Sequence, residues 1–358
     1  MDTSLGKLFF IGIPGPELDA QTLELLEYVQ PGGVCLFARN VKSAEQVNSL
    51  LSGIRDVIGP QVMFSVDQEG GTVDRLRRII EPFPAAEKIR TTDQAAEHGA
   101  LIGRTLRLLG FNVNFAPVVD VATEARRLNN NGLRGRSFGS SADEAVELAG
   151  SFLNAMEAEG IAGCLKHFPG LAGANVDSHE ELPQISIDES EFASTDLPPF
   201  QHLIERSNLR FVMVAHAIYP NLALQERDRS GRLVPSSLSD AVLDKLLRQQ
   251  CRFEGVAITD DLLMGAITRE YGLPDACVMA VAAGEDMLAI CSEPELIKRS
   301  FDRVGEAAEA GELSSARISS ATGRIDRVAG TLAEPIGLDL AELETISARV
   351  AEFKSRLQ

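Results

Sequence analysis

Two rhythms of apolar residues alternate along this chain. Short, nearly continuous runs of Val, Ile, Leu and Phe occur at Leu8 to Ile13, Gly33 to Ala38, Val62 to Asp67, Asn112 to Asp120, Gly163 to Phe168, Phe211 to His216, Val256 to Asp260 and Met287 to Cys291. Runs of this kind fit strands covered on both faces. Between them, apolar residues recur every three or four positions, which fits helices with one buried stripe. Val47, Leu50, Leu51, Ile54 and Ile58 form such a stripe after Ser43, and Ser239 opens another carrying Val242, Leu243, Leu246 and Leu247. Ser43 with Gln46, and Ser141 with Glu144, have the spacing of a capping box, in which each side chain meets the other residue's free N–H.

Eightfold alternation of strand and helix predicts an α/β fold, a single (β/α)8 TIM-type barrel. An open doubly wound sheet is the second choice, and its usual glycine-rich nucleotide turn is absent. Towards the end, Ile318, Ala321, Ile325, Val328 and Leu332, then Leu340, Leu343, Ile346, Val350 and Phe353, predict two additional helices within about 313–358, packed on the outside of the barrel. No proline-rich or charged linker divides the chain, so one domain over 1–358 is expected.

Composition narrows the class of partner. The net charge of −18 argues against nucleic acid and anionic membrane surfaces. No run approaches the roughly 20 apolar residues of a membrane span. The stretch from Met1 to Phe10 lacks a basic region followed by a long apolar one, so no signal peptide is expected and the cytoplasm is the default location. The five cysteines, Cys35, Cys164, Cys251, Cys277 and Cys291, sit mostly in apolar runs and read as buried free thiols. They show no zinc spacing, and no metal or organic cofactor is expected. The absence of Trp and the presence of only three Tyr favour a small pocket over a long polysaccharide groove.

Polar residues end the apolar runs repeatedly: Asp67, Asp120, Lys166 with His167, His216, and Asp260. In a barrel of this kind such residues face one common mouth, where chemistry collects. Each could equally be a helix cap or a satisfied buried group, and of Asp260 and Asp261 one could cap while the other reacts. Arg75 and Arg136 add cations suited to reading adjacent hydroxyls, or to structural ion pairs at the rim. Asp177 and His179 lie two apart. In an extended segment both would leave on one side and hydrogen-bond, making His179 a usable proton donor.

The ordered motifs Val66-Asp67-Gln68-Glu69-Gly70-Gly71, Phe115-Ala116-Pro117-Val118-Val119-Asp120, Arg136-Ser137-Phe138-Gly139, Lys166-His167-Phe168-Pro169-Gly170, Asp177-Ser178-His179 and Thr259-Asp260-Asp261-Leu262 resemble family 3 glycoside hydrolases. Within that family they are most similar to bacterial β-N-acetylhexosaminidases of the peptidoglycan-recycling type. The resemblance implies a retaining exo-glycosidase in which Asp260 is the nucleophile and His179, held by Asp177, is the acid/base. It implies that Asp67, Arg75, Arg136, Lys166 and His167 bind the non-reducing sugar, with Asp120 and His216 supporting the pocket from beneath. The implied substrate is terminal β-linked N-acetylglucosamine on a muropeptide fragment, and a monomer is expected. One departure stands out. The branch usually continues Lys-His-Phe-Pro-Gly with His-Gly, whereas Leu171 and Ala172 stand here, although the loop to Asp177 keeps its length. Relatives acting on plain glucosides usually carry a second sandwich domain, for which this chain has no room. The alternatives are another family 3 exo-glycosidase, such as a β-glucosidase, or a degenerate sugar-binding barrel.

Overall fold

A computed structural model describes residues 4–129 and 131–357. Met1, Asp2 and Thr3, part of the stretch read above for a leader, lie outside the described residues. The strands are β1 (Phe9–Gly12), β2 (Gly33–Leu36), β3 (Met63–Val66), β4 (Gln68–Gly70), β5 (Val73–Asp74), β6 (Val113–Asn114), β7 (Ala162–Phe168), β8 (Phe211–Val214), β9 (Val256–Thr259) and β10 (Leu288–Ile290). The longer helices are α1 (Ala20–Val29), α2 (Ala44–Ile58), α3 (Thr92–Leu109), α4 (Ala142–Ala158), α5 (Leu197–Arg206), α6 (Ala241–Gln250), α7 (Leu273–Ala283), α8 (Pro294–Glu309), α9 (Ser315–Ala329) and α10 (Leu340–Ser355). Every one of the eight predicted apolar runs holds a strand, and a helix follows each before the next.

The strands form two parallel four-stranded sheets, β10-β1-β2-β3 and β6-β7-β8-β9, rather than one continuous sheet. Hydrogen bonds nevertheless cross both gaps. Between β3 and β6, Asn112 N–H donates to Phe64 O at 3.2 Å and Phe115 N–H to Val66 O at 3.0 Å. Between β9 and β10, Ile258 makes a parallel bridge to Met287, and Ala289 N–H donates to the Thr259 hydroxyl at 2.9 Å. The run from Asn112 to Asp120 is a strand for only two residues. Pro117 has no N–H to give to a ladder, and pairing resumes beyond it at Val118, opposite Lys166.

A short antiparallel hairpin, β4 with β5, was not foreseen from the sequence. Its strands are polar, and it is tied down by side chains: Gln68 Nε2 donates to Asp74 Oδ1 at 2.9 Å, and Gln68 N–H to Asn114 Oδ1 at 2.9 Å. The two predicted capping boxes close differently. Ser43 and Ser141 accept the N–H of Gln46 and Glu144, but the return arms reach one residue further back, to Lys42 N–H and Ser140 N–H. The helix after Ser239 begins at Ala241 and has wide turns, ending with Cys251 N–H on Leu246 O. Among the described residues, no helix is long and apolar enough to cross a membrane, and the five cysteines are free.

Both C-terminal stretches are helical and bury part of their apolar stripes, α9 with Ala321, Ile325 and Val328. Leu343, Ile346, Val350 and Phe353 of α10 are buried, whereas Leu340, at its first position, is exposed. Glu342 takes Arg104 of α3 at 2.6 and 2.9 Å. Phe353 stacks near His98 of α3, which also lies against Phe83 and Phe152. Neither ring nitrogen of His98 has a hydrogen-bond partner, and burial pushes its pKa down from 6.5 to about 3. The unfolded chain therefore takes up a proton near pH 6.5 that the folded chain refuses until about pH 3, so stability falls as the pH drops through that window. His98→Leu removes this penalty. Its stability advantage over wild type should widen by roughly 1 kcal/mol per pH unit between about pH 6 and about pH 4, read from urea midpoints. A constant difference across that range would show that His98 is not held neutral.

Candidate active site

The strand ends converge on a cavity of about 150 Å³. Its lining includes Asp67, Arg75, Arg136, Lys166, His167, Asp177, His179 and Asp260, so the eight residues to which the resemblance gives catalysis or sugar binding meet there. Asp67 follows β3 and Asp260 follows β9, which is where an apolar strand gives way to a loop.

Lys166 and His167 are consecutive, and a regular strand would send them to opposite faces. Here β7 slips against β8: Leu165 pairs with Val212 and Phe168 with Val214, three steps against two. The Lys166–His167 peptide bond is cis, and both side chains reach the same cavity. Lys166, only 1% exposed, reaches Asp67 Oδ1 at 2.7 Å and Glu69 Oε1 at 2.6 Å. Burial works against its charge, but Asp67 and Glu69 outweigh it and raise the lysine pKa, so the ammonium persists. Glu69 in turn takes Arg136 in a fork, Nε at 2.8 Å and Nη2 at 2.9 Å. Burial alone would raise the Glu69 carboxyl. Arg136 and Lys166 hold it well below the usual range instead. Arg75 approaches the other oxygen of Asp67 at 3.9 Å. The result is a continuous chain of alternating charge, Arg75, Asp67, Lys166, Glu69, Arg136, laid along one wall. Glu69 was quoted only as part of a motif. The signal that could have found it is an acidic residue among residues that pair cations, in a hairpin too polar to be core.

His167 is oriented from below. Its Nδ1 lies 2.7 Å from Asp120 Oδ2, which also accepts the His167 backbone N–H at 3.1 Å, and Asp120 Oδ1 accepts Leu171 N–H at 2.5 Å. A carboxylate accepts, so Nδ1 carries a proton; Arg136 Nη2 stands 3.5 Å from Nε2. His216 is buried beneath the opposite side. Its Nε2 donates to Asp261 O at 3.1 Å and its Nδ1 meets the Ser237 hydroxyl at 2.7 Å, while burial lowers its pKa. Asp120 and His216 thus support the cavity, and neither lines it.

Asp260 and Asp261 divide the two tasks left open by the sequence. Asp261 Oδ1 accepts Leu263 N–H at 3.1 Å and Cys291 N–H at 3.2 Å, fixing the turn after β9, and burial raises its pKa. Asp260 is half-buried and spends only Oδ1, on Asp261 N–H at 2.8 Å. Burial pulls its pKa upward, but His167, His216, the Asp261 N–H and Lys166 together hold it below the ordinary value, so the carboxyl is ionised. Among the described residues its second oxygen has no hydrogen-bond partner.

Asp177 and His179 are in contact, Oδ1 to Nδ1 at 2.7 Å, but not through an extended segment. Residues 177–181 form a turn in which Asp177 O accepts Glu180 N–H at 3.0 Å and Asp177 Oδ1 accepts His179 N–H at 3.0 Å. The pair is made by a side chain curling onto its own loop, as Asp often does. Burial opposes the Asp177 charge, and the His179 N–H groups more than compensate, lowering its pKa. His179 stays 70% exposed, at the mouth. Leu171 is buried and forms an apolar piece of the wall.

Comparison with known proteins agrees with this geometry. Residues 1–328 match the glycosyl hydrolase family 3 N terminal domain. The chain is 34% identical over 287 residues to the beta-hexosaminidase of Tolumonas auensis, covering 79% of this chain and 82% of that one. It is 33% identical over 301 residues to the beta-hexosaminidase of Haemophilus influenzae, covering 82% of each. The solved family 3 beta-N-acetylglucosaminidase of Paenibacillus sp. superposes with a TM-score of 0.86 at 29% identity, covering 99% of this chain and 68% of that one. With its charged cavity at the strand ends and a family match over nine-tenths of its length, this chain belongs to glycosyl hydrolase family 3.

Proposed function

We propose that this protein is a retaining exo-glycosidase that removes terminal non-reducing β-linked N-acetylglucosamine. The observation that carries the reading is one cavity lined both by Asp260, with a free oxygen, and by the Asp177–His179 pair. In this reading the free oxygen of Asp260 attacks the anomeric carbon, and the glycosidic oxygen leaves with a proton from His179 Nε2. Water then attacks the glycosyl-enzyme, His179 takes its proton, and the Asp260 carboxylate is released. Asp67, Arg75, Arg136, Lys166 and His167 hold the sugar hydroxyls. The names of the beta-hexosaminidase relatives support the N-acetyl preference.

The muropeptide substrate, the role in cell-wall recycling and the monomeric state rest on the motif resemblance, and the cytoplasmic location and the single domain on the sequence pattern alone. The two sheets are read as one (β/α)8 barrel, supported by the hydrogen bonds that cross both gaps. The test is hydrolysis of 4-nitrophenyl β-N-acetylglucosaminide beside the β-glucoside. We expect a preference for the N-acetyl substrate of at least about a hundredfold in kcat/KM, the size of discrimination that a site built around one substrate group gives. Equal rates would move the chain to the general β-glucosidase reading, and no turnover by folded protein would favour a sugar-binding barrel.

A further inference from the structure

The loop bearing Asp177 and His179 rests on the chain that follows β9, five residues beyond Asp260. Gly265 N–H donates to His179 O at 3.1 Å, and Ala266 N–H donates to Ser178 O at 3.2 Å. That segment is itself fixed to the Asp260 turn, because Asp261 O accepts Met264 N–H at 2.9 Å. A Cβ added to Gly265 would stand 2.5 Å from Glu180 O and 2.8 Å from His179 O. Gly265 lies in a short helical turn whose backbone any residue can adopt, so only the closeness of the loop demands glycine there. On the other flank, a Cβ at Gly132 would stand 2.8 Å from Asp177 Oδ2. The loop of the Asp177–His179 pair is therefore seated on Gly265, where any side chain would meet backbone oxygens, and the Asp177 carboxylate faces Gly132 on the other flank.

We propose that Gly265, with the N–H of Ala266, is the seat that positions the acid/base loop relative to the nucleophile. This rests on the roles given to Asp260 and His179 above. Gly265 is a positioning residue and touches no substrate. The two reacting groups must flank one glycosidic bond, and they come from loops far apart in sequence. A misplacement of about 1 Å can cost on the order of a hundredfold in rate. Backbone hydrogen bonds from the Asp260 turn to the His179 turn set that separation without relying on flexible side chains.

Gly265→Ala tests it. Alanine favours a helical turn more than glycine does, so a purely local role predicts an unchanged or higher Tm and unchanged kinetics. The seat predicts that the loop is pushed away. For an N-acetylglucosaminide with an unactivated sugar as leaving group, kcat/KM should fall by about tenfold or more, in the direction of His179→Ala. For the 2,4-dinitrophenyl glycoside, which needs no protonation, kcat/KM should change by less than about threefold. Hydrogen exchange of the unaltered protein provides a readout that needs no variant: the Gly265 and Ala266 amides should be protected. Equal effects on both substrates, no effect on either, or free exchange at those two amides would overturn the proposal. If His179→Ala itself fails to separate the two leaving groups while the amides are protected, the acid/base reading falls and the seat stands.

Discussion

Asp260→Ala should lower kcat/KM on 4-nitrophenyl β-N-acetylglucosaminide by about four orders of magnitude or more, the scale on which removal of a covalent nucleophile is felt. The side chain is suited to attack because one oxygen is pinned by the Asp261 N–H and the other has no partner among the described residues. Its pKa is held down by cations and N–H groups around it, so the attacking form is present throughout the neutral range. No neighbour can substitute. Asp261 has its Oδ1 engaged by two backbone N–H groups and its pKa raised by burial. The fold should survive, since the truncation removes a half-buried group with a single hydrogen bond of its own. Release of 4-nitrophenol with far-ultraviolet circular dichroism as control decides the matter, and a rate within about tenfold of wild type would remove Asp260 from the mechanism.

His179→Ala should produce a loss that depends on the leaving group. Proton transfer by a positioned side chain contributes about 10²–10⁴ in rate, and only a poor leaving group needs it in the first step. A sugar leaving group should feel the full loss, whereas a dinitrophenyl group should feel little of it in kcat/KM. The geometry explains why this histidine can serve: it lines the cavity, and Asp177 fixes its Nδ1 side at 2.7 Å, leaving Nε2 as the other ring nitrogen. Because the ring is 70% exposed, its removal should leave Tm nearly unchanged, which separates a chemical from a structural loss. A uniform loss across leaving groups would argue for a binding role.

What was readable in the sequence follows from what each element buries. Strands covered on both faces have no choice but to be apolar, and so each of the eight runs, such as Phe211 to His216, contained its strand. Polar residues directly after such runs had no core to join, which made Asp67 and Asp260 legible as cavity residues. The hairpin at Gln68 to Asp74 was not legible, because side-chain hydrogen bonds rather than apolar alternation hold it. Nor was the meeting of Lys166 and His167 on one side, because regular strand periodicity sends consecutive side chains to opposite faces, whereas the peptide bond between them is cis. The contact of Asp177 with His179 was anticipated from their spacing, yet it arises from a turn. Spacing two apart permits both geometries, and only the surrounding loop selects one.

The two sheets give the cavity a property beyond its chemistry. Asp67 and Glu69 follow the strand at the end of one sheet, while Lys166 stands in the other and grips both acids. The charged wall of the cavity is thus also a clamp across the boundary between the two sheets. A disturbance that let the sheets part slightly, even one originating at the far end of the strands, would open the clamp before it dismantled either sheet. Activity is accordingly the most sensitive gauge of how well the two sheets are joined.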